Sequence, residues 1–192
     1  IINLAALIGI PYSYRATKSY FDTNVYGLMN ILNSTKDFGI KKIIHTSTSE
    51  VYGTPKTIPI KETHRVYGQS PYAASKIAAD QLAISYVKSF KMPITILRPF
   101  NTYGPRQSAR AIIPTIISQI LKKKEVNLGS LYPTRDFTFI EDTTDGFIKS
   151  ISSKKNIGEI INIGSGFEIS IKNLVKQISM IAGKKIVIKE FK

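Results

Sequence analysis

Two short apolar runs, each emptying into a polar loop, constrain the fold of this 192-residue chain more than any other feature. Lys41-Lys42-Ile43-Ile44-His45-Thr46-Ser47 ends in hydroxyls, and Met92-Pro93-Ile94-Thr95-Ile96-Leu97 runs into Arg98-Pro99-Phe100-Asn101-Thr102-Tyr103-Gly104-Pro105. Unbroken β-branched runs of this kind read as strands buried on both faces, the habit of a parallel sheet. In open α/β sheets, ligands collect at the carboxyl ends of such strands. Thr48, Ser49 and Glu50 follow the first run and so fall where a substrate would lie. Their ordinary reading is a polar turn with a solvated carboxylate.

Between the runs lies a helix. Ser70-Pro71 opens it, and Ala73, Ala74, Ile77, Ala78, Ala79, Leu82 and Ala83 continue it. Tyr72 and Lys76 are four apart, so they share one face. A phenol titrates near 10 and is a poor base at neutral pH, whereas a fixed positive charge beside it favours the phenolate. Such a pair can take a proton from a hydroxyl group. Alone, it is a common decoration of amphipathic helices, and its neighbours in sequence are what distinguish it.

Thr46-Ser47-Thr48-Ser49-Glu50-Val51-Tyr52-Gly53, then Tyr72-x-x-x-Lys76, then Arg98-Pro99-Phe100-Asn101-x-Tyr103-Gly104-Pro105, resemble in that order the extended short-chain dehydrogenase/reductase family acting on nucleotide sugars. Within it, Leu4 to Tyr14, Gln107 to Pro114 and Pro133 to Phe137 are most similar to the NAD-dependent 4,6-dehydratases of nucleotide-activated N-acetylglucosamine that serve legionaminic acid synthesis. The similarity covers nearly the whole chain.

The resemblance implies an α/β fold, a Rossmann-like doubly wound parallel sheet with its N-terminal part missing, and a smaller α/β substrate part. Residues 1–105 would be the C-terminal part of the NAD-binding domain and carry the catalytic groups. Residues 106–192 would bind the nucleotide sugar, interleaved with the last Rossmann elements and truncated. No Gly-x-Gly-x-x-Gly is present, Gly164-Ser165-Gly166 reads as a turn, and Ile1 to Ala6 reads as a strand already inside a sheet. The family's phosphate loop precedes that strand and a further nucleotide-binding segment follows the last one. A fragment cut at both ends is therefore expected.

By the same resemblance, Tyr72, helped by Lys76, would take the proton of the sugar 4-hydroxyl while NAD accepts a hydride. Glu50 would act as base at C5 and help the 6-hydroxyl leave, and Thr48 would orient the 4-oxygen. Ser49 stands where some family members carry an acidic aspartate. Leu4, Ala5, Ala6, Thr23, Asn24, Ser47 and Phe100 would join Tyr72 and Lys76 around the cofactor. The pair Thr23-Asn24 reaches the cofactor, braces the catalytic loop or is an ordinary helical polar pair. Thr48, Asn101, Arg135 and Asn162 would meet the substrate, an amide and a planar guanidinium both suiting phosphate oxygens. Arg135 has an alternative as a surface ion pair with Asp136 or Glu141. The Thr-Ser-Glu form also resembles nucleotide-glucuronate decarboxylases, and the tyrosine and lysine also serve 4-epimerases. UDP and GDP remain open as the nucleotide, and a non-enzymatic nucleotide-sugar-binding fragment is the alternative class. The family's pairing of the helices bearing Asn24 and Tyr72 implies a homodimer.

Composition narrows the field further. A hydrophobic content of 43% supplies a core, and no apolar run is long enough to span a bilayer. With no signal peptide readable, a cytoplasmic enzyme is expected. The absence of cysteine excludes a thiol nucleophile and cysteine-ligated metal, and His45 and His64 lack partners at metal spacing, so no metal is expected. A net charge of +14 raises nucleic acid as a partner. The lysines are scattered and no nucleic-acid motif accompanies them, so that reading is set aside.

Elsewhere the periodicity predicts a helix from Thr17 to Phe38 closed by Gly39, and a long lid-like loop from Gly53 to Ser70. It predicts a helix from Ala109 to Lys124 interrupted by Pro114, and a helix to Ile151 capped by Asp142. A helix from Ile171 to Ile181 is capped by Ser170, and strands are expected at 126–129, 135–140, 160–163 and 186–188.

Overall fold

The computed structural model describes residues 1–191. In chain order its elements are β1 (Ile2–Asn3), α1 (Ile10–Ser13), α2 (Thr17–Phe21), a π-helical segment (Asp22–Tyr26), α3 (Gly27–Thr35) and β2 (Ile43–Thr46). A 3₁₀ turn (Ser49–Tyr52), α4 (Pro71–Phe90), β3 (Ile94–Pro99), β4 (Asn101–Tyr103), α5 (Ile112–Lys122) and β5 (Glu125–Leu128) follow. The chain ends with β6 (Thr134–Phe139), α6 (Ile140–Ser152), β7 (Ile160–Ile163), β8 (Glu168–Ser170), α7 (Ile171–Ile181) and β9 (Val187–Glu190). No described helix is long and apolar enough to cross a membrane.

Two compact units result. The first takes residues 1–100 and 141–163, the second residues 101–140 and 164 onward.

In the first unit, β1, β2, β3 and β7 form a parallel sheet in that order. Ile43 sits opposite Ile94 and Ile96 opposite Ile160, so the β-branched runs of three strands stack in register. Leu28 and Leu32 of α3 and Ala79 and Ala83 of α4 close over Ile43, Ile94, Ile96 and Met92. Alanine at both α4 positions lets that helix lie close to the sheet, because a methyl group fills little of the gap between backbones. Ser70 caps α4 by accepting from the Ala73 N–H, and Pro71 occupies the first turn, where a missing N–H costs nothing.

The second unit has a three-stranded sheet in the order β4-β6-β8, with β6 and β8 antiparallel, and a parallel pair β5-β9. Ile116 and Ile120 of α5 pack with Leu174 and Val175 of α7 and with Val126 and Leu128 of β5. Ser170 caps α7 through the Asn173 N–H.

Four details differ from the sequence expectation. The helix after Thr17 runs on without a gap to Thr35, short of Phe38, but widens into a π segment at Asp22–Tyr26. Pro114 lies in the first turn of α5, where its lost N–H had no partner to lose, so it starts the helix instead of interrupting it. Asp142 lies within the first turn of α6, which begins at Ile140, and supplies a negative charge to the dipole there rather than a cap. The opening strand stops at Asn3, because the Asn3 side chain turns back to accept from the Ala5 N–H.

Candidate active site

β2 delivers its polar end directly into the 3₁₀ turn. Thr48 caps that turn, its hydroxyl accepting from the Glu50 N–H at 3.2 Å, and Ser49 and Glu50 stand half-buried at its start. From α4, Tyr72 and Lys76 point into the same unit and are buried, at 6% and 3% exposure. The Lys76 ammonium donates to Thr46 O at 2.5 Å, which ties the helix to the end of β2.

Electrostatics set the protonation states. Burial pushes the Tyr72 phenol up to about 12; a hydrogen bond with Thr48 opposes the rise, and the charge of Glu50 adds to it. Burial lowers the Lys76 ammonium to about 8, with Asp80 pulling the other way. The expectation that Lys76 depresses the phenol is thus corrected. The same desolvation that weakens the lysine cation raises the tyrosine, and Thr48 is the group that favours the phenolate.

Around this pair, Tyr20 presents its ring edge-on to Tyr72, with centroids 6.2 Å apart, while its hydroxyl donates to Gly9 O. Asn24 lies in the π segment, buried. Its amide accepts from Leu7 N–H at 2.9 Å and donates to Leu7 O at 3.0 Å and to the Ser75 hydroxyl at 2.9 Å. Ser75 in turn donates to Tyr72 O. Asn24 therefore braces the 4–8 segment against α4, and Thr23 beside it is half-buried. Leu4 and Ala5 are exposed and Ala6 half-buried, forming an apolar edge beyond β1. Ser47 is buried at the end of β2, and Phe100, at the end of the first unit, donates its N–H to Ile163 O.

Asn162 sits in the same unit, and its bonds are already committed. Its side chain accepts from the Tyr52 hydroxyl at 2.8 Å and donates to Ile60 O, and its N–H donates to the Glu62 carboxylate. Asn101 and Arg135 belong to the second unit, with Asn101 opposite Phe137 in the β4-β6 ladder. The Arg135 guanidinium is exposed and donates to Thr134 O. Asp136 turns instead to the Ser165 and Gly166 N–H groups, pinning the glycine turn.

Beneath the site lies a buried charge network that sequence reading passed over. Arg98 is 2% exposed and donates from Nε and Nη2 to Asp80 Oδ2 at 3.0 and 2.8 Å, and from Nη1 to the Tyr52 hydroxyl at 2.9 Å. Burial alone would raise the Asp80 carboxyl, but His45, Arg98 and Ser47 outweigh it and hold it below the ordinary carboxylate range. His45 Nε2 lies 3.6 Å from Asp80 Oδ1, and burial lowers the imidazole against the pull of that carboxylate. A usable signal existed: Asp80 follows Lys76 by one helical turn on an alanine-rich face, where an acid has to be buried.

Residues 1–190 match the model of the family described as GDP-mannose 4,6 dehydratase. The dTDP-D-glucose 4,6-dehydratase of Dictyostelium discoideum is 35% identical over 190 residues, covering 93% of this chain and 44% of that protein. The UDP-glucuronate 4-epimerase of Thermodesulfobacterium geofontis is 36% identical, covering 96% of this chain and 57% of its own length. The crystal structure of UDP-glucuronic acid 4-epimerase from Bacillus cereus, in complex with UDP-glucuronic acid and NAD, superposes with a TM-score of 0.92 at 35% identity, covering 98% of this chain and 61% of that one. The chain spans about half the length of the curated relatives it matches.

Proposed function

The chain belongs to the GDP-mannose 4,6 dehydratase family, with the Rossmann-like α/β fold of the extended short-chain dehydrogenases/reductases, and on that premise we propose that it acts as an NAD-dependent nucleotide-sugar 4,6-dehydratase. The observation that carries this reading is that the 3₁₀ turn bearing Glu50 packs against α4, the helix bearing Tyr72, which brings a carboxylate and a phenol to one strand end. Removing a 4-hydroxyl proton needs one base. Eliminating water across C5 and C6 needs a second group that first accepts and then donates a proton.

The residues present suit the nicotinamide end of NAD. The Thr46 hydroxyl is buried without a partner next to the carbonyl that holds Lys76, and a ribose hydroxyl both donates and accepts. When bound, NAD supplies hydride acceptance and return. Tyr72 takes the proton of the 4-hydroxyl; a phenol held at about 12 is a strong base once ionised, and Thr48 lowers the cost of that ionisation. Lys76, bound to Thr46 O, ties α4 to the end of β2 and so holds Tyr72 at the strand end. Glu50 takes the C5 proton and passes one to the departing 6-oxygen. Ser49 is not an acid and takes no proton step. Leu4, Ala5, Ala6, Thr23, Ser47 and Phe100 line the cofactor, Asn24 holds that lining in place, and Asn101, Arg135 and Asn162 serve the nucleotide sugar. An N-acetylglucosamine carried on UDP or GDP, made for surface glycan or legionaminic acid synthesis, is the substrate class proposed, and a cytoplasmic homodimer the form.

A 4-epimerase is the second reading, favoured by the 36% identity to a UDP-glucuronate 4-epimerase. Product analysis separates the two. A 4-keto-6-deoxy sugar supports the dehydratase, an inverted C4 hydroxyl supports the epimerase, and carbon dioxide from a glucuronate supports a decarboxylase. The companion test titrates NAD into this chain by calorimetry, alone and preceded by a family-type glycine-rich βαβ segment. Binding by neither form would sink the cofactor assignment and leave a nucleotide-sugar-binding protein.

A further inference from the structure

Tyr52 occupies the same 3₁₀ turn as Glu50, two residues on, yet its hydroxyl faces the interior. There it accepts from Arg98 at 2.9 Å and donates to Asn162 at 2.8 Å. Arg98 is held by Asp80, four residues beyond Lys76 on α4. A continuous path of hydrogen bonds therefore runs from the helix bearing Tyr72 and Lys76, through Asp80, Arg98 and Tyr52, to the turn bearing Glu50. It continues through Asn162 to Ile60 and Glu62 of the long loop.

That loop is fastened to the same turn at two more points. Tyr67 N–H donates to Val51 O at 2.7 Å, and the His64 ring stands edge-on to Tyr52 with centroids 6.3 Å apart. Gly53, at φ +61°, passes so close to Tyr67 O that a Cβ would lie 2.3 Å from it. The loop and the turn are packed as one body.

We propose that Tyr52 and Arg98 are positioning residues: they fix Glu50 against the Tyr72–Lys76 pair and hold the 54–69 loop in register with both. The inference deepens the dehydratase reading and rests on it for the catalytic part. A group that must act at C5 while a second acts at the 4-oxygen has little freedom in spacing. A buried guanidinium shared between a helix carboxylate and a turn phenol sets that spacing more rigidly than apolar packing, because each donor has one direction in which it is satisfied.

The test is hydrogen exchange on Tyr52→Phe, which keeps the ring and removes only the hydroxyl. Loss of one hydrogen bond from each neighbour is expected to raise exchange roughly tenfold in segments 47–53 and 54–69 together, with segment 79–92 unchanged. Loosening of one segment without the other would overturn the coupling. An equal rise in all three would reduce Tyr52 to a general contributor to stability and overturn it too. In whichever form turns over a nucleotide sugar, the same variant is expected to lose about tenfold in kcat with KM within about twofold, the sign of an interaction made in the transition state. An unchanged kcat would defeat the positioning role. If the unaltered protein turns over no nucleotide sugar in any form, the dehydratase reading fails, and the exchange result still decides whether turn and loop move together.

Discussion

Lys76 carries a charge in a place that disfavours it. Its folded-state value of about 8 lies below the free-lysine value of 10.5, so the unfolded chain binds the extra proton between those values. Stability therefore rises with pH across that window and is lowest below about 8. Replacing Lys76 with Met removes this dependence. Relative to the variant, the unaltered protein is expected to gain about 2 kcal/mol between pH 7.5 and pH 9.5, read from urea midpoints at the two pH values. Tyr72, raised to about 12, contributes the opposite slope only above pH 10 and does not intrude. Asp80 gives a second residue-scale prediction. Asp80→Asn leaves the Arg98 cation buried without its counter-charge, and a loss of about 3 to 5 kcal/mol is expected in the same assay. The four-residue spacing of Tyr72 and Lys76 was legible in the sequence because helical periodicity decides it. The pKa order was not, since it depends on how deeply α4 sinks against the sheet, and spacing carries no depth. Arg98 and Tyr52 were hidden for the same reason, whereas Asp80, one turn past Lys76 on an alanine-rich face, was there to be read.

At the scale of elements, strands and caps were the readable part. Ser70 and Ser170 cap the helices they precede in the sequence, and the apolar runs became β2, β3 and β7. The π segment was invisible, because one extra residue in a turn shifts the apolar pattern by less than its own scatter. It nevertheless aims Asn24 at Leu7 and Ser75 at once. The far end of α4 offers a sharper test. Lys91 terminates it at φ 55° and ψ 30°, a left-handed conformation that crowds any Cβ. Lys91→Gly relieves that crowding and is expected to raise the melting temperature, by about 1 kcal/mol in stability, without touching the site.

For the whole molecule, the division into units does not follow the chain. Residues 1–100 need 141–163 to complete their sheet, and the intervening 101–140 belong to the second unit. A chain ending at residue 140 leaves β3 without β7 along its edge, exposing a row of unpaired backbone groups. Such a truncated protein is expected to lose the cooperative thermal transition of its first unit, as followed by near-ultraviolet tyrosine dichroism, and to self-associate. The sequence announced strands before and after this insertion. It did not announce which sheet each would join, because pairing at long range is decided by shape rather than by local pattern.

The interleaving also puts a clock on biosynthesis. β3 ends at Pro99 and its partner β7 begins at Ile160, so about 60 residues must be translated after one edge forms and before it is covered. At ribosomal speeds this lasts about 3 to 12 s. Throughout that interval the nascent chain presents a hydrophobic strand with open hydrogen bonds. Slowing translation across residues 100–163 is therefore expected to lengthen the exposure of that edge and to lower the yield of folded protein.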